Sequence, residues 1–93
     1  MPVEVRLPTL LRPAAEGRQS VSVEGSTVGE VLRSLEGAYP ALAGQVLTGD
    51  GSLHKFVNVY LNDDDVRYLD KLLTKVAPDD VVSILPAVAG GAG

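Results

Sequence analysis

Apolar and polar side chains alternate in the first segment of the chain. In Pro2-Val3-Glu4-Val5-Arg6-Leu7, Val3, Val5 and Leu7 share one face of a strand while Glu4 and Arg6 point the other way. Pro8 and Pro13 bracket an irregular stretch ending near Gly17, because proline lacks the N–H that a ladder needs. Gln19-Ser20-Val21-Ser22-Val23 alternates again, which predicts a hairpin whose loop is longer than a tight turn. Gly25-Ser26-Thr27-Val28-Gly29-Glu30 then carries a helix start. Thr27 is placed to cap the N–H three residues on, and Glu30 to reach back to the Thr27 N–H. Val28, Val31, Leu32, Leu35 and Tyr39 form one apolar stripe at helical spacing, with Glu30, Arg33, Ser34 and Glu36 outside it. Pro40 ends the helix by Ala38 or Tyr39.

Residues 41–47 suit a further short helical turn, and Thr48-Gly49-Asp50-Gly51-Ser52 a surface loop. Phe56-Val57-Asn58-Val59-Tyr60-Leu61 is the strongest strand, with Val57, Val59 and Leu61 on one face and Phe56, Asn58 and Tyr60 on the other. Residues 62–65 read as a turn and 66–68 as a brief strand. Residues 69–76 read as a short helix or coil that carries Leu69, Leu72, Leu73 and Val76 inward. Pro78-Asp79-Asp80 turns the chain into Val81-Val82-Ser83-Ile84-Leu85, a nearly continuous apolar run of the kind found in buried strands, which Pro86 stops. The order predicts an α+β domain over residues 1–86, a mixed sheet with one long helix across a face. Residues 87–93 hold no charge and no bulky side chain except Val88, and are expected to form a flexible tail.

Composition narrows the chemistry. At 93 residues, 45% hydrophobic and 22% charged, the chain is one small globule with little room for an enclosed cleft. Eight basic against twelve acidic residues give a net charge of −4, and the basic residues are scattered, so nucleic-acid binding is not expected. The absence of cysteine excludes disulfides, thiolate metal sites and a cysteine nucleophile. No apolar run approaches the roughly 20 residues of a membrane span and no secretory leader is read, so the expected location is cytoplasmic. The lone histidine, His54, reads as an exposed loop residue rather than a metal ligand. Asp63-Asp64-Asp65 lacks EF-hand spacing and reads as a solvated turn. Gly49-Asp50-Gly51-Ser52 lacks the lysine and the helix start of a phosphate loop. No bound metal or cofactor is expected, and an enzyme is the weaker reading.

The tail is what remains. A Gly-Gly pair passes through a channel that excludes any side chain, and adopts backbone angles that a partner's site imposes. Extended, residues 86–91 reach at most about 20 Å from the domain, which suits delivery of a carboxyl terminus into another protein's active site. The bland alternative is a frayed terminus or a linker.

The strand at 81–85 ending in Pro86 and running into Ala87-Val88-Ala89-Gly90-Gly91 resembles the C-terminus of the MoaD/ThiS family of ubiquitin-like sulfur carriers. Asn62-Asp63 after the 56–61 strand, and Asp79-Asp80 before the last one, fit that family too. Leu7-Pro8-Thr9-Leu10-Leu11-Arg12-Pro13 and Leu53-His54-Lys55-Phe56-Val57-Asn58 bring the likeness nearest to the CysO-type carriers of actinobacterial cysteine biosynthesis, over almost the whole chain. The resemblance implies the β-grasp fold, with first and last strands parallel at the sheet centre. It implies that an E1-like adenylyltransferase and sulfurtransferase uses ATP to adenylate the Gly91 carboxylate, and that sulfide displaces AMP to leave a thiocarboxylate. It further implies a PLP-dependent cysteine synthase of the O-phosphoserine sulfhydrylase type that accepts the tail, and a JAMM-type metallopeptidase that releases cysteine; Val88, Ala89 and Gly90 are the tail residues expected in a partner's channel. The family's mature tail ends at the second glycine, whereas Ala92-Gly93 follow Gly91 here. Their removal by a JAMM-type peptidase is expected; an artefact or a tail that never matures is the rival. Phe56, Asn58 and Tyr60 are candidates for the partner surface if their face is uncovered, packing at the sheet edge being the alternative. Other readings are a small subunit of molybdopterin synthase, a thiamin sulfur carrier, a ubiquitin-like modifier of lysines, and a plain interaction domain.

Overall fold

The computed structural model describes residues 2–49, 51–55 and 57–86. Strand β1 (Pro2–Arg6) pairs antiparallel with β2 (Ser20–Glu24), Val3 opposite Val23 and Val5 opposite Val21, so the two alternations meet in register. Helix α1 (Val28–Ala38) follows. Strand β3 (Val57–Leu61) pairs with a two-residue β4 (Asp64–Asp65), and β5 (Val81–Pro86) closes the sheet. The strand order is β2-β1-β5-β3-β4, with β5 parallel to β1 and antiparallel to β3. First and last strands thus lie side by side at the centre, the β-grasp arrangement implied by the resemblance.

One face of the sheet is covered. Val3, Val5, Val21, Val23, Val59, Val82 and Ile84 point from it into a core that α1 completes with Val28, Val31, Leu32 and Leu35. Tyr39, the last member of the expected stripe, caps the helix C-terminus and is only half-buried. The helix starts as expected at Thr27, whose Oγ1 accepts from the Glu30 N–H at 3.2 Å. The Glu30 carboxylate reaches back one residue further than expected, accepting from the Ser26 N–H at 2.8 Å rather than from Thr27. Gly25 lets this entry pass close to the helix: a Cβ there would stand 2.7 Å from both the backbone nitrogen and Cγ2 of Val31.

The segment after β3 departs most from expectation. Residues 64–65, read as part of a turn, pair with Tyr60 and Leu61, while 66–68, read as a strand, form a 3-10 turn. The Asp65 carboxylate accepts from the Arg67 N–H at 2.9 Å, which bends the chain out of the sheet. A second 3-10 turn at Lys71–Leu73 replaces the expected short helix. It turns Leu69 and Leu73 outward, and only Leu72 and Val76 pack against the core. The 41–47 helical turn is confined to a 3-10 turn at Pro40–Leu42. Residues 9–15, expected to be irregular, are also 3-10 helical, with Leu11 and Ala15 buried. β5 is central yet buried on one face only, and it extends through Pro86, which lies opposite Val57. No helix among the described residues is long and apolar enough to cross a membrane.

Candidate functional site

Strand β5 ends at Pro86, the last described residue, and its direction is set at its start. Asn62, at φ 56°, follows β3 and faces the first residue of β5. Its N–H donates to the Val81 carbonyl at 2.7 Å, and its Oδ1 accepts from the Val81 N–H at 3.0 Å. Its Nδ2 donates to Asp80 Oδ1 at 3.2 Å, while Asp80 Oδ2 accepts from the Ala77 N–H at 2.8 Å. Asn62 and Asp80, each in a turn that the sequence predicts, therefore fix the register in which β5 runs toward Pro86. The sequence shows the two turns but not that they grip each other.

Around Pro86 the surface is apolar. Leu10 is exposed to 77% and Leu85 to 44%. In the Thr9–Ala15 turn Leu11 points into the core, which leaves its neighbour Leu10 outside. Arg12 is half-buried there, its Nε donating to the Leu7 carbonyl at 3.2 Å. A cavity of about 950 Å³ opens between this turn and the uncovered sheet face, lined among others by Arg6, Leu10, Arg12, Tyr60, Ser83 and Leu85. Arg6 is engaged with Glu4 across 3.1 Å. The sequence does not single out Leu10 or Arg12, because nothing in a proline-bracketed loop says which sheet face it will flank.

Of the expected site residues, Asn58 and Tyr60 do lie on the uncovered face, their neighbours Val57 and Val59 pointing into the core. Tyr60 stands opposite Ser83, and Asn58 opposite Leu85. Asn58 Oδ1 is buried with no hydrogen-bond partner, an acceptor left over beside the exit of β5. Phe56, Val88, Ala89, Gly90, Gly91, Ala92 and Gly93, and with them the expected tail, fall outside the described residues.

His54 is half-buried rather than exposed, held by its N–H donating to the Val46 carbonyl at 2.8 Å. Asp63 and Asp64 are exposed. Asp65 is occupied by Arg67, whose Nη2 lies 3.1 Å from Asp65 Oδ2, and this hydrogen bond holds the carboxyl below its usual range. Among the described residues no group of three or more potential ligands is placed to hold a metal ion.

The chain has clear relatives. A model described as the ThiS family matches residues 5–91. Over 98% of its length the chain is 47% identical to the whole of a sulfur carrier protein, CysO, from Mycobacterium tuberculosis (strain ATCC 25618 / H37Rv). It superposes with a TM-score of 0.86 and 40% identity on a chain from the crystal structure of the Amycolatopsis orientalis BexX/CysO complex, covering 96% of this chain and 99% of that one. It is also 46% identical over 68 residues to small archaeal modifier protein 3 of Haloferax volcanii, 73% of either chain.

Proposed function

The chain belongs to the ThiS family, and on that ground we propose that it is a sulfur carrier, not a catalyst, that works by presenting its Gly91 carboxyl to partner enzymes. A full-length likeness to a named sulfur carrier is the observation that carries this reading. The family match extends through Gly91 and stops there, which supports Gly91 as the reacting residue and Ala92-Gly93 as residues removed beforehand.

The chemistry follows from the carboxylate. A free carboxylate is a poor electrophile, so an activating enzyme of the E1-like class joins the Gly91 carboxylate to the α-phosphorus of ATP and releases pyrophosphate. Sulfide attacks the acyl carbon, AMP leaves, and a thiocarboxylate remains. The sulfur so loaded needs no cysteine on the carrier, which has none. Cysteine synthesis is the proposed destination. A PLP-dependent sulfhydrylase is the acceptor, and a JAMM-type metallopeptidase trims the tail and frees the product. The adenylation step places the protein in the cytoplasm, where ATP is available. Asn58, Tyr60, Leu10 and Leu85 form the surface that meets the activating enzyme, and Val88, Ala89 and Gly90 thread a partner's channel. That a CysO was crystallised in complex with BexX supports docking between carriers of this kind and other proteins.

Intact-mass analysis tests this directly. Incubation with an E1-like enzyme, ATP, sulfide and a JAMM-type peptidase is expected to remove Ala92-Gly93 and then exchange one oxygen for one sulfur. A chain cut after Gly91 skips the peptidase, and Gly91→Ala is severely impaired with its fold intact. Similarity to an archaeal modifier protein gives a second reading, transfer of the same acyl-adenylate to lysine amines. Lysine conjugates without any thiocarboxylate would establish that reading instead. Molybdopterin and thiamin synthesis share the loading step, and the enzyme that discharges the thiocarboxylate separates them.

A further inference from the structure

The sheet ends on two unequal edges. At one side β4 is two residues long, and the chain then bends away where the Asp65 carboxylate accepts from the Arg67 N–H at 2.9 Å. At the other side β2 runs for five residues, with no proline, no lysine and no break in its register opposite β1. Edge strands are usually guarded by one of these devices, because an open row of backbone groups invites another strand. The β2 edge is unguarded.

Which of its backbone groups are open follows from the hairpin. Leu7 stands opposite Gln19, one step beyond the Arg6–Ser20 pair, and its N–H donates to the Gln19 carbonyl at 2.9 Å. Bonded and non-bonded pairs alternate in an antiparallel ladder. Val21 and Val23 therefore turn their N–H and C=O toward β1, while Ser20 and Ser22 turn theirs outward. Among the described residues nothing pairs with these outward groups of Ser20 and Ser22. Both serine side chains are exposed and too short to cover the edge. A concave surface of about 420 Å³ lies beside it, lined among others by Ser20, Val21, Ser22 and, from the C-terminal end of α1, Tyr39.

Donors and acceptors repeated at strand spacing are matched by one kind of ligand, an extended polypeptide. A second copy of this chain is the poorer source of it. Two β2 edges would pair antiparallel about a dyad normal to the sheet, which leaves both α1 helices on the same face. Helix α1 packs more closely against β2 than against any other strand. Two helices, each about 10 Å across, would then crowd over strands about 4.8 Å apart. From the open backbone groups and the helix above them we infer that the β2 edge docks an extended segment of a partner protein, which joins the five-stranded sheet antiparallel to β2. Its side chains across from Val21 and Val23 lie on the helix side near Tyr39, where small aliphatic residues fit. Those across from Ser20 and Ser22 lie on the open face, where polar residues fit. Strand β1 stands between this edge and β5, so a segment docked here leaves the Leu10 and Leu85 surface uncovered. This goes beyond the carrier reading, and its test does not depend on the tail.

The test is an amide NMR titration of the full chain with two isomeric capped peptides, both Thr-Val-Thr-Val-Thr-Val, one N-methylated at its valines and the other at its threonines. In the antiparallel register the threonines lie across from Ser20 and Ser22 and supply the N–H groups that bond to β2. The valine-methylated isomer keeps those donors and is expected to shift the amides of Ser20, Val21 and Ser22. It should bind about tenfold more tightly than the threonine-methylated isomer, which lacks them. Ser22→Pro should weaken it by a similar factor: proline is tolerated in an edge strand where the N–H it removes faces water, and no bond to β1 is lost. Equal binding of the two isomers, a preference for the threonine-methylated one, shifts confined to the Tyr60 and Leu85 cavity, or no shifts would overturn the proposal. So would concentration-dependent shifts of Ser20 and Ser22 without peptide, which would assign the edge to a second copy. Sulfur loading is read by mass and this docking by amide shifts, so either can fail while the other stands.

Discussion

At Asn62 the backbone stands at φ 56°, where a Cβ crowds the following carbonyl, and only glycine, asparagine and aspartate settle there readily. Asparagine is the choice that also supplies an acceptor to the Val81 N–H and a donor to Asp80. Two costs can therefore be separated. Asn62→Ala keeps the strained backbone and loses the bonds, and is expected to cost about 2 kcal/mol. Asn62→Gly relieves the backbone and loses only the bonds, for about 1 kcal/mol. Urea denaturation of both variants checks the order, and an alanine variant more stable than the glycine one would contradict it. Three residues on, Asp65 gives a pH signature. Its carboxyl is held below the usual range chiefly by the hydrogen bond from the Arg67 side chain. A depressed folded-state value contributes stability that is fully present above the unfolded value, about 3.9, and is lost as pH falls through the folded one. Asp65→Asn should therefore lower the urea midpoint at pH 7, and the gap to the wild type should close as the pH falls below about 4. A gap unchanged down to pH 2 would mean that the pair does not stabilise the fold.

Elements that repeat a period over several turns were legible in advance, and those that do not were not. Helix α1 carries its own start, stripe and stop in Thr27, Leu35 and Pro40, and the chain follows them. Leu69, Leu72, Leu73 and Val76 imitate a helical stripe, but Asp65 caps a 3-10 turn ahead of them and Lys71 adopts a left-handed backbone, so half the stripe faces water. No periodicity announces a two-residue strand such as β4, which exists only because β3 is there to pair with it. Two glycines beside the same helix test this at the level of elements. Gly25→Ala forces a Cβ to within 2.7 Å of the Val31 backbone and should cost about 1–3 kcal/mol, through displacement of the first turn. Gly37→Ala meets nothing within 4 Å inside the helix and should stabilise by about 0.5–1 kcal/mol. Thermal or chemical unfolding of the pair gives shifts of opposite sign if the helix sits where the cap places it.

At the scale of the molecule, the Gly-Gly end could be read from the sequence because it needs no fold to be recognised, whereas the surface around its root could not. Leu10, Tyr60 and Leu85 come from three distant segments, and only the parallel pairing of β1 with β5, with β3 on the other side, brings them around one opening. Alternation in 57–61 shows which residues share a face; it cannot show which face the helix leaves bare. That surface carries a prediction separable from the tail. A partner that closes over Leu10 and Leu85 removes both from water, and each buried leucine contributes about 1.4 kcal/mol or more, a tenfold factor. Leu10→Asp and Leu85→Asp, on a chain cut after Gly91, should each lower kcat/KM for thiocarboxylate formation about tenfold, with little change in thermal stability because both side chains are exposed in the free protein. Ser22→Asp, on the same open face but two strands from β5, should leave the rate as it was. If all three variants load sulfur at the wild-type rate, the activating enzyme reads the tail alone. If all three slow alike, added negative charge rather than apolar docking is what the enzyme rejects. Loss at Leu10 and Leu85 with Ser22 spared ties recognition to the rim of the opening beside Pro86.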